Sequence, residues 1–153
     1  MSARRIRTLV ALVTVLLLFV LLIPLSASRA QTPAANPTMA PSVTVKDQAF
    51  VDNRVIIDKV VSEGPGWLVV HNAKGDTFGD DIGEAALSTG ENSHVVVAIP
   101  DASKVTAKLF AMLHTDKGVV GKYEFPGPDG PVQLNGQLVN PSFMITSGLP
   151  GSK

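Results

Sequence analysis

From Ser42 onward, apolar and polar positions alternate in short bursts separated by Gly, Pro, Asn and Asp. Ser42–Ala49 alternates in its first half through Val43 and Val45, and Arg54–Val61 is rich in β-branched residues. After the Gly64-Pro65-Gly66 turn, Trp67–His71 is apolar on both parities, the mark of a central strand buried on both faces. Asn72–Asp81, with two glycines and three acids, is expected to be a loop. Ile82–Leu87 is a weaker strand whose alanines also allow a helical turn. His94–Ile99 places Val95, Val97 and Ile99 on one side, and Pro100–Lys104 predicts a loop or short helical turn. In Thr106–Leu113, Leu109, Ala111 and Leu113 share one face, and Phe110 and Met112 the other. Gly121–Phe125 is expected to form another strand, and Pro126–Gly130 a corner. Asn135-Gly136 within Val132–Leu138 signals a two-residue hairpin. Ser142–Thr146 is the last strand.

Eight or nine short strands at roughly 8–12-residue spacing predict an all-β fold, a Greek-key β-sandwich of cupredoxin or immunoglobulin type. Ahead of it, Leu9–Leu25 is free of charge and follows Arg4, Arg5 and Arg7. Small residues precede Gln31 at Ser28 and Ala30. This pattern makes 1–30 a secretory signal peptide, or an uncleaved hydrophobic helix long enough to span a bilayer. Residues 31–41, QTPAANPTMAP, form a Pro-rich linker. The sandwich is expected over 42–147, with a tail at 148–153, so the domain faces the outside as a secreted or membrane-tethered unit.

Without 1–30, four of the 13 basic residues are gone and all 13 acidic ones remain. That acidic balance argues against nucleic acid as a partner. The chain has no Cys, so its stability must come from its core.

The most distinctive stretch is Leu109–Val132, LFAMLHTDKGVVGKYEFPGPDGPV. Within it, Ala111–Lys122 resembles the copper-binding hairpin of plastocyanin-type cupredoxins, in which a Cys precedes a His by three residues and a Met follows five later. His114 matches the His and Gly118 a glycine, while Ala111 and Val119 stand at the Cys and Met positions. The family's other His falls in a loop near Thr77–Ile82 here, which holds none. The resemblance implies the sandwich. Type 1 copper needs a thiolate, so a chain without Cys excludes blue-copper electron transfer. WLVVHNA together with LFAMLHTDKGVVGKYEFPGPDGPV also resembles an uncharacterised domain family of secreted and surface proteins of archaea and bacteria, over roughly Val43–Thr146. That resemblance implies domain limits and carries no activity.

Three histidines are present, His71, His94 and His114, and a structural role is the first expectation for each. A copper or zinc site from His71, His114 and Met112 is the rival, since imidazole suits both metals. Asp116, Gly118 and Glu124 echo a calcium loop, but Val119 and Val120 occupy its middle. Asp76, Asp80, Asp81 and Glu84 read as a solvated acidic loop. Trp67 and Tyr123 are expected in the core or at its rim. No nucleophile elbow, carboxylate pair or phosphate-cradling loop is recognisable, so catalysis is not expected. The sequence favours a structural or recognition role toward a cell-surface or envelope partner. The contact loop would carry Asp116, Glu124 and Asp129.

Overall fold

A computed structural model of the chain describes residues 39–151. The hydrophobic segment expected at 1–30 and most of the linker lie outside the described residues. Ten strands make up the fold: β1 (Ser42–Thr44), β2 (Gln48–Ala49), β3 (Arg54–Ser62), β4 (Gly66–Lys74), β5 (Thr77–Leu87), β6 (Gly90–Ala98), β7 (Lys108–Thr115), β8 (Gln133–Leu134), β9 (Gln137–Leu138) and β10 (Ser142–Ser147). The only helical element among the described residues is a 3-10 turn, Ala102–Lys104, capped by the Asp101 side chain, which accepts from Ser103 N–H. The domain is therefore all-β, as the turn spacing predicted.

The strands form open sheets in the orders β1-β3-β6 and β2-β10-β7-β4-β5, with β8-β9 as a small ribbon. Every pairing is antiparallel except that of β10 with β2. One core serves both larger sheets. Val55 and Ile57 of β3 and Val97 of β6 share it with Leu68 and Val70 of β4, Leu109, Ala111 and Leu113 of β7, and Phe143 and Ile145 of β10. Each of these Val, Ile, Leu and Phe side chains contributes about 1.5–3 kcal/mol by leaving water, which is how a domain without disulfides holds together. Where β5 crosses close to the end of β6, Gly83 is obligatory, because a Cβ there would run into the Ala98 carbonyl.

Three expectations need correction. Ser42–Ala49 is two strands in different sheets: β1 pairs with β3, and the chain then crosses to set β2 beside β10. The expected loop at Asn72–Asp81 is mostly the β4–β5 hairpin, turning at Gly75, whose φ is 64°, and Asp76. Asp80 and Asp81 sit on a strand, where the Asn72 side chain accepts the Asp80 N–H and carries the pairing across an irregular register. Gly121–Phe125 is not a strand. Its neighbourhood satisfies its amides with carboxylates instead: Gly121 N–H donates to Asp116, Val119 N–H to Glu124, and Glu124 N–H to Asp129.

A candidate site beneath the 116–130 loop

Strand alternation puts two histidines on the face of the five-stranded sheet opposite the core. Leu68 and Val70 of β4 point into the core, so Trp67, Val69 and His71 point away from it. On β7 the same logic turns Phe110, Met112 and His114 outward. The register aligns Trp67 with His114, Val69 with Met112, and His71 with Phe110. His71 and His114 therefore stand at opposite ends of the Val69–Met112 pair, and their rings lean over it to a centroid separation of 6.2 Å. On the other side of β4, β5 sets Glu84 opposite Val69 and Asp81 opposite His71.

Segment 116–130 lies over this face. Tyr123 packs at 5.6 Å from Trp67 and 5.9 Å from His114, and Phe125 meets the His114 ring edge-on at 5.1 Å. At the far end Phe78 contacts His71 and Phe110. The result is near-complete enclosure: His71 is 4% exposed, His114 1% and Trp67 9%.

The loop is braced from within by Asp129, which is fully buried. Its carboxylate accepts the N–H groups of Lys117 and Glu124, at 2.9 and 2.7 Å, and of Gly118 at 3.4 Å. Burial pushes its carboxyl up, but these backbone donors outweigh that and hold it below the ordinary range. Glu124 accepts from Val119 N–H and pairs with Lys122.

Both imidazoles are anchored in the same way. Nδ1 of His114 donates to the Asp129 carbonyl at 2.9 Å, and Nδ1 of His71 to the Gly79 carbonyl at 3.2 Å. A carbonyl can only accept, so the proton resides on Nδ1 and each neutral ring carries its lone pair on Nε2. Neither Nε2 has a hydrogen-bond partner, and neither does Trp67 Nε1. Burial holds both histidines below their ordinary 6.5. For His71, the Gly79 bond and the charges of Asp81 and Asp80 pull back upward. For His114, the Asp129 carbonyl, Asp81 and the Asp129 charge do so, while His71 pushes further down. Burial, then the charge of Asp81 and a hydrogen bond to it, then the charges of Glu84 and Asp129, raise Tyr123 far above a free phenol. Burial and Asp81 also raise Glu84.

The structure thus brings His71 and His114 together, with Met112 at the register position between them. His94 is elsewhere, exposed on β6 in a left-handed conformation with φ 53°. Asp116 and Glu124 stay partly exposed in the loop, whereas Asp129 turns inward and serves as its brace. Asp76 sits at the β4–β5 turn and Asp81 and Glu84 at the cluster's flank. Sequence reasoning missed the part played by Trp67, Phe78, Tyr123, Phe125 and Asp81. The parity that Trp67 shares with His71 was the available signal for Trp67. Among the described residues, no three His, Cys, Asp or Glu side chains are already placed to hold a metal ion. No described helix is long and apolar enough to cross a membrane.

Comparison with known proteins gives one curated relative of note, cell surface glycoprotein 2 of Haloarcula hispanica. It is 28% identical over 106 residues, which is 69% of this chain and 11% of the relative. The chain therefore spans about a ninth of that protein's length. No solved structure matches. A family model described as a domain of unknown function (DUF7282) matches residues 41–146, and the chain belongs to that family.

Proposed function

We propose that this chain is an extracytoplasmic, cell-surface protein whose Greek-key, cupredoxin-like β-sandwich over 42–147 acts by structural or recognition contacts rather than by catalysis. The observation that carries this is the match, along nearly the whole domain, to a protein named for its place on the cell surface. The N-terminal segment, as leader or as membrane anchor, delivers the domain to the outer face. The all-β fold with a shared core suits a module that must stay folded without disulfides. The contact surface is the 116–130 loop. Its interior is braced by Asp129, while Val119, Val120 and Phe125 stay exposed at 62%, 70% and 45%. Such apolar exposure on a stiff loop favours a protein or envelope partner over a small substrate.

The test is protease shaving of intact cells producing the full chain with a C-terminal tag. Loss of the tag before lysis supports the surface assignment. A tag that survives until the membrane is breached, beside a surface control that does not, would refute it.

A further inference from the structure

We propose that the buried His71–His114 pair, with ring centroids 6.2 Å apart, binds one divalent first-row transition ion, of the Zn(II) class, through the Nε2 atoms of both rings. Hydrogen-bond accounting points to the ion independently of any surface role. Buried polar atoms are nearly always paired, and this cluster leaves two imidazole Nε2 atoms unpaired, on residues 4% and 1% exposed whose ring centroids are 6.2 Å apart. A Lewis acid satisfies both at once.

The far side of each ring supports the same conclusion. Histidines that ligate metals donate their other N–H to a carbonyl or carboxylate, which fixes the tautomer and aims the free nitrogen. Both rings do so here, to Gly79 and Asp129. Two segments distant in sequence therefore prepare the two nitrogens in the same form. Charge is also in place. Asp81 lies in register with His71 and Glu84 with Val69, so β5 flanks the pair with carboxylates that offset an incoming dication.

The donor chemistry narrows the ion. Imidazole nitrogen with nearby carboxylate suits zinc, nickel or cupric copper; calcium and magnesium require oxygen cages, and thiolate is absent. Because no third His, Cys, Asp or Glu is already placed, the remaining positions fall to solvent or to a carboxylate that swings in from β5. Segment 116–130 must open to admit the ion, since its Tyr123 and Phe125 pack against His114.

The experiment uses the full chain, stripped with EDTA and titrated with Zn(II) alone. Calorimetry reads stoichiometry and affinity, and ¹⁵N correlation spectra of the histidine rings read the site. We expect one ion per chain, with the Nε2 resonances of His71 and His114 shifting together and Nδ1 of each remaining protonated. H71Q and H114Q should each weaken binding by roughly tenfold or more, and H94Q should leave it unchanged. If the cluster variants fail to fold, the wild-type ring spectra decide alone. No saturable binding, binding moved by H94Q instead, or Nε2 resonances that stay fixed would overturn the proposal and leave the pair to interior water.

Discussion

His114 and Asp129 are tied together through the main chain of one and the ring of the other: Nδ1 of His114 donates to the Asp129 carbonyl at 2.9 Å across 15 positions of sequence. The same Asp129 uses its carboxylate to gather the amides of Lys117, Gly118 and Glu124. One residue therefore sets the loop's shape and the imidazole's tautomer together.

Asp129→Ala should loosen the whole 116–130 segment, because three amides lose their acceptor at once. We expect the melting temperature to fall by roughly 5–15 °C. Hydrogen exchange should accelerate at Lys117, Gly118 and Glu124 while the β3–β6 amides stay protected. Unchanged exchange at those three amides would contradict the role assigned to this carboxylate.

Acid should weaken the metal-free fold in the range where histidine titrates. Both buried imidazoles sit below 6.5 when folded and return to it when unfolded. Between those values the unfolded chain binds more protons, so their contribution is intact above about pH 6.5 and is lost as pH falls toward the folded values. Glu84, raised on folding, works in the opposite direction at lower pH. Denaturant midpoints at about pH 7.5 and 5.5 measure the effect. An equal or higher midpoint at the lower pH would show that the imidazoles are not held neutral by burial.

Gly83→Ala should destabilise strongly for a purely steric reason. The added methyl meets the Ala98 carbonyl and the Val97 side chain, and backbone cannot step aside cheaply. The expected cost is about 1–3 kcal/mol, read from chemical denaturation. A neutral result would mean that β5 and the end of β6 are farther apart than described.

Leu113→Ala tests the shared core. Leu113 is fully buried among residues of both larger sheets. Truncation should cost about 2–5 kcal/mol, with both sheets losing exchange protection in one transition. If only the β4–β7 amides responded, the two sheets would not share a single cooperative core.

The strands that bury one face were legible because alternation encodes them directly. Alternation puts Leu109, Ala111 and Leu113 on one face of β7, and Val95 and Val97 of β6 on one side with Ile99 just past its end; both sets meet the core. The Asn135-Gly136 hairpin was legible because both residues adopt positive φ, 53° and 79°. What escaped were features set by partners distant in sequence. Lys122–Phe125 has the composition of a strand, but carboxylates at 116, 124 and 129 claim the local amides before any sheet can. Asp81 looked like a solvated loop acid, because the turn at Gly75–Asp76 is short enough to hide among its polar neighbours. The meeting of His71 with His114 depends on the β4–β7 register, which no local pattern specifies.

The chain contains a single tryptophan and a single tyrosine, and the fold sets their rings 5.6 Å apart, tilted by 52°, at the seam between sheet and loop. The molecule thus has a built-in optical reporter: the emission of one indole, unlabelled and unambiguous, should register every opening of the cover and every arrival beneath it.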